Sequence, residues 1–132
     1  MNDQHMIENV LTTYFAAANA GDAQGLAALY ADDAVLLPGD MPTAQGVADI
    51  EAFYAGAFDQ LQLDIEMDLP ATIEVDGDLA HATTSSTGTR LIRATGDTIP
   101  ENNRELWVMA RQGADWRIAR YMFNKSDTMP ST

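Results

Sequence analysis

Cysteine is absent from the 132 residues, which excludes disulfide bracing and thiol chemistry. Histidine occurs only at His5 and His81, too sparsely to build the clustered ligand set of a metal centre, so neither metal nor cofactor is expected. Lys and Arg are missing from residues 1–89, which hold fifteen Asp and Glu; all seven cations fall between Arg90 and Lys125. With a net charge of −13 the chain lacks the concentrated cations that neutralise phosphates, which argues against a nucleic-acid partner. The late cations instead read as partners for acidic neighbours, within the sheet or across a dimer. No apolar run approaches the ~20 residues that span a bilayer, so no membrane partner is expected. Met1-Asn2-Asp3-Gln4-His5 has neither the basic start nor the apolar core of a secretory signal, and a cytoplasmic protein is the expectation. A phosphate loop, a nucleophilic-serine elbow and a dinucleotide fingerprint are also missing.

What is present is a change of period. Ile7, Val10, Leu11, Tyr14, Phe15 and Ala18 follow helical spacing, with Asn2 or Asp3 as cap and Gly21 as terminator. Asp22 can cap a short second helix showing Leu26, Leu29 and Tyr30 on one face. Asp32-Asp33 reads as a turn, Ala34–Leu37 as a brief apolar segment, and residues 38–42 as a loop. A third helix from Val47 carries Ile50, Phe53, Tyr54, Ala57, Phe58 and Leu61. From Gln62 the period becomes two: Leu63, Ile65, Met67 and Leu69 alternate with Asp64, Glu66 and Asp68. Pro70 interrupts this strand, yet Ile73 and Val75 keep its parity, which fits a bulge or bend. Asp76-Gly77-Asp78 turns into a long strand to Arg93, with a bend at Gly88; residues 95–100 read as a loop. Residues 103–111 and 116–123 are two further strands, and 125–132 read as a loose tail. Three helices and a meander of long antiparallel strands make one α+β domain over residues 1–132, a curved sheet with helices on one face. A chain of this length buries roughly two thirds of its unfolded surface.

Polar groups on these apolar faces mark the candidate site. Tyr14, Tyr30 and Tyr54 interrupt helical stripes, and Glu105 shares a strand face with Asn103 and Trp107. A phenol and a carboxyl kept protonated by desolvation can both donate to a substrate oxygen in a dry pocket. The alternative at Glu105 is an ion pair with Arg90, Arg93 or Arg104. Phe58, Tyr121 and Phe123, with Trp107, are core or pocket wall.

The runs Tyr14–Asp22, Leu29–Ala34, Ile50–Tyr54 and Trp116–Asn124 together resemble the ketosteroid-isomerase and SnoaL-like group of the nuclear transport factor 2-like superfamily. The resemblance covers about residues 5–125 and implies a cone-shaped α+β barrel, an apolar cavity and a homodimer through the outer sheet face. In the isomerases a tyrosine of the first helix donates to the substrate oxyanion, and Tyr14 matches it; Tyr30 and Tyr54 match tyrosines that back it. The second donor is a protonated aspartic acid on a late strand, nearest here to Glu105. The general base is an aspartate before the proline that follows the first strand; this chain has Leu36-Leu37-Pro38, with Asp40 as the reserve. The expected function is binding of a small apolar or aromatic ligand, with isomerase, cyclase or lyase chemistry on a carbonyl or polycyclic compound. The alternative is a non-enzymatic ligand-binding or dimeric interaction domain. Dehydratase relatives rely on paired histidines, and epoxide-hydrolase relatives on an Asp-Arg-Asp set, and neither set is evident here.

Overall fold

The computed structural model describes residues 2–126. Helix α1 (Asp3–Ala20) starts where the Asn2 side chain accepts from the His5 amide and stops at Gly21, whose φ of 68° needs no Cβ penalty. Ile7, Leu11, Tyr14, Phe15 and Ala18 are its buried stripe. Asp22 caps α2 (Ala23–Ala27) through the Gly25 amide. Helix α2 ends before Tyr30, so that tyrosine is not on its face and instead opens strand β1 (Tyr30–Leu37).

The expected turn at Asp32-Asp33 is likewise strand. The pairing of β1 shifts register between Tyr30 and Val35, which lets both aspartates stay exposed within the strand. A two-residue β2 (Ala44–Gln45) folds back on β1 before α3 (Val47–Gln60). The rest is β3 (Leu61–Met67), β4 (Thr72–Asp76), β5 (Leu79–Ile92), β6 (Thr98–Gln112) and β7 (Asp115–Lys125). The expected loop over 95–100 is therefore shorter, and Pro100 lies inside β6. Its missing N–H is tolerated there because β7 ends at Lys125 opposite Asn103, and among the described residues no β7 partner stands beside Pro100. Lys125 also belongs to β7 and not to a tail; residues 127–132 lie outside the described part.

The strands form one curved, open sheet in the order β2-β1-β7-β6-β5-β3, with β4 following β3 along β5. All pairings are antiparallel except β1 with β7. The break at Pro70 keeps parity: Met67 faces Ser86 and Thr72 faces Thr83, so Met67 and Ile73 both reach the core. Gly88 is required where β3 crosses β5, since a Cβ there would stand 2.1 Å from the Asp64 carbonyl oxygen.

The helices cover the concave face. Trp107, Trp116, Met109, Ile118, Leu11 and Leu36 are all but sealed from solvent there, each worth roughly 1.5–3 kcal/mol of burial. Asn19 pins α1 to β3 by exchanging bonds with both backbone groups of Ile65, at 2.8 Å each. Asp3 receives two N–H groups of Arg111 and the indole N–H of Trp116, tying the start of α1 to β6 and β7. Among the described residues no helix is long and apolar enough to cross a membrane.

Candidate functional site

A cavity of about 560 Å³ opens between α1, α3 and the concave sheet face. Its wall is largely apolar: Phe15, Phe53, Phe58, Leu61, Leu63, Ile65 and Phe123 contribute, with Pro38, Gly39 and Met41 beside them. The polar lining comes from Tyr14, Tyr54, Tyr121, Glu105, Asn103, Glu101, Arg90, Lys125 and Gln60.

Three tyrosines make a relay. The hydroxyl of Tyr54 lies 2.8 Å from that of Tyr14 and 2.7 Å from that of Tyr30, all three buried. Tyr121 packs edge-on against Tyr14, ring centroids 5.3 Å apart, and stacks on Trp107 at 3.7 Å with rings nearly parallel. Burial, more than any neighbouring charge, pushes all four phenols well above their usual range, so they are neutral donors. Tyr30 and Trp107 stand behind this wall rather than on it: Tyr30 reaches the cavity only through Tyr54, and Trp107 through Tyr121 and Thr84.

Glu105 is buried at 3% exposure and faces none of the arginines. The Thr84 hydroxyl is 2.7 Å from one carboxyl oxygen and the Ser86 hydroxyl 2.6 Å from the other. The Trp107 indole, which can only donate, gives its N–H to the Thr84 oxygen at 2.8 Å; Thr84 must then pass its own hydrogen to Glu105. Desolvation raises the Glu105 pKa, the Ser86 and Thr84 bonds pull it down, and the charges of Asp68 and Glu101 add to the rise. The other arginines are engaged elsewhere: Arg90 with Glu101, Arg93 with the Phe58 carbonyl and Arg104 with Asn124.

Four residues upstream on the same face stands a carboxylate that the sequence reading missed. Glu101 is 7% exposed; one of its oxygens accepts from Arg90 and from Lys125 at 2.9 Å, the other from the Asn103 amide at 2.8 Å. Burial works against its charge, but Lys125, Asn103 and Arg90 together hold its pKa below the usual value. The parity that picked out Asn103, Glu105 and Trp107 also includes Glu101, and only the assumed loop around Pro100 concealed it. Because Glu101 only accepts, the Asn103 NH₂ must face it, which leaves the Asn103 carbonyl oxygen buried without a partner.

Asp40 is exposed and outside the lining, between Gly39 and Met41, with a φ of 63°. Leu37 and Pro38 offer no carboxylate at the end of β1. Among the described residues no group of three or more His, Asp or Glu side chains is placed to hold a metal ion.

The comparisons with known proteins fit this geometry. A ketosteroid isomerase-like protein from Erwinia carotovora atroseptica superposes with a TM-score of 0.89 at 26% identity, over 97% of this chain and all of the other. A nuclear transport factor 2-like protein with a cystatin-like fold from Novosphingobium aromaticivorans gives 0.78 at 25%, covering 96% and 84% of the two chains. A nuclear transport factor 2-like superfamily protein from Salmonella enterica serovar Typhimurium gives 0.82 at 20%, covering 94% and 91%; this last likeness concerns the fold alone. The SnoaL-like domain matches residues 1–122, and the chain therefore belongs to the SnoaL-like family of the nuclear transport factor 2-like superfamily.

Proposed function

We propose that the cavity binds a small, mostly apolar molecule through one oxygen atom, and that the domain is an isomerase, cyclase or lyase acting on a carbonyl or polycyclic compound. The observation that carries this reading is the convergence of Tyr14 and Glu105 on one apolar cavity, each buried and shifted toward its neutral form. Removing a proton beside a carbonyl puts negative charge on the oxygen, and neutral O–H donors in a water-poor site stabilise it strongly. Either hydroxyl of each contact can donate. If Tyr30 donates to Tyr54 and Tyr54 to Tyr14, the hydrogen of Tyr14 is left for a ligand. Glu105 has one oxygen committed to accepting from Thr84; a proton on the other completes a second donor. Glu101 is a poor base, because three donors hold its pKa below the usual value. Asp40 is the proton acceptor in this proposal, and the loop at 38–42 must fold over the mouth to bring it inward. The test is a titration with substituted phenols, which mimic an enolate. Tyr14→Phe should weaken binding about tenfold, the value of one hydrogen bond to a charged group; unchanged affinity would sink the assignment.

A second reading, ligand binding without catalysis, is favoured by Leu37-Pro38, where the isomerases carry their base. Here Leu37→Asp is the discriminating variant. New isomerase activity on a model enone, absent from the native chain, would mean that the native site has the oxyanion donors and no base. We also propose a homodimer through the outer sheet face. Leu106 and Met122 support it: they are cross-strand neighbours, 45% and 44% exposed, on the face away from the helices.

A further inference from the structure

We propose that the cavity has a second recognition point, an anion subsite formed by Arg90 and Lys125, and that its ligands carry a carboxylate at the end remote from Tyr14 and Glu105. This builds on the reading of the cavity as a ligand site. Residues 1–89 contribute no cation, yet two of the seven in the chain line this cavity and meet on one oxygen of Glu101. One carboxylate cannot neutralise two cations, so the cluster carries a net positive charge in a protein of net charge −13.

Donors remain as well. Arg90 uses one terminal nitrogen on Glu101 and Lys125 one of its three N–H groups; neither makes another hydrogen bond or ion pair among the described residues. The Lys125 side chain is 44% exposed and that of Arg90 22%, so an entering anion can reach both. Glu101 acts as the anchor that holds the two cations side by side and leaves their outer donors facing the opening.

Spacing sets the ligand's shape. Glu101 and Glu105 are four residues apart on one strand face, roughly 13 Å at the rise of a β-strand. A fused-ring body with an oxygen at one end and a carboxylate at the other matches that span and the apolar wall between. Elsewhere on the lining no cation is present, so a bound anion has one place to go.

The test compares hydroxynaphthoate with naphthol, the same body with and without the carboxylate, by calorimetry at low and moderate salt. The native protein should bind hydroxynaphthoate at least tenfold more tightly, with the preference shrinking as salt rises. Lys125→Met should remove most of that preference and leave naphthol binding unchanged. Arg90→Gln should do the same, with thermal melting to verify folding; Lys125 is exposed enough that its variant serves alone if Arg90→Gln does not fold. Equal affinity for the two probes, or a preference that survives Lys125→Met, overturns the anion subsite while the cavity reading stands. Binding of neither probe overturns both.

Discussion

Two glutamates on one strand face, four residues apart and both nearly sealed from solvent, are driven in opposite directions. Glu101 meets a guanidinium, an ammonium and an amide, and these outweigh burial and keep it ionised. Glu105 meets only two hydroxyls, which do not outweigh burial, and its pKa rises. The residue type is the same and the backbone is continuous; the difference lies in what β5 and β7 place opposite. Arg90 comes from the far end of β5 and Lys125 from the end of β7, whereas Thr84 and Ser86 come from the middle of β5. One apolar cavity thus acquires an end whose partners favour the charged carboxylate and an end whose burial favours the protonated carboxyl. In general terms, a buried carboxyl follows its partners rather than its depth.

The largest effect should come from breaking the charged end. Arg90→Met strips one cation from a buried carboxylate and should cost about 2 kcal/mol, read from denaturant unfolding. The pH dependence would change with it. The folded pKa of Glu101 lies below its usual 4.5, so its contribution is present above that value and lost as pH falls through the lowered one. In the Arg90→Met protein that acid loss should begin at higher pH than in the native chain.

Next in size is the neutral end. The folded pKa of Glu105 lies above 4.5, so the folded state keeps this proton longer than the unfolded chain. Stability on this account is greatest below 4.5 and declines as pH rises through the raised value. Affinity for a neutral carbonyl ligand should decline over the same interval, because the donor becomes an acceptor. Glu105→Gln should flatten both profiles; a slope that persists in the variant would point to another group.

Smallest in stability is the outer face. Leu106→Lys should change folding by less than about 0.5 kcal/mol, as surface substitutions do, yet convert a dimer to a monomer in sedimentation. An unchanged sedimentation coefficient would remove the proposed interface.

Much of this arrangement was legible in the residues. The stripe from Ile7 to Ala18, the Gly21-Asp22 stop and restart, and the alternation from Leu63 to Met67 each encode their element locally. What escaped was set by distant partners. β1 begins at Tyr30 because β7 lies beside it, with a register shift that accommodates the two aspartates; nothing in Tyr30–Asp33 shows this. β6 continues through Pro100, past the point where the described part of its neighbour β7 ends opposite Asn103, a matter of sheet topology. With that boundary wrong by a few residues, Glu101 fell outside the strand and its pairing with Arg90 and Lys125 could not be read. The tyrosines were visible as polar interruptions, while the Thr84 and Ser86 clamp on Glu105 depends on strand register.

The most direct test of the contrast between the two ends is a carbon-detected NMR titration of glutamate side chains labelled at Cδ, with Glu101→Gln and Glu105→Gln used for assignment. The account predicts that Glu101 titrates below the usual 4.5 and Glu105 above it in the same molecule. Coincident midpoints, or the reverse order, would contradict it.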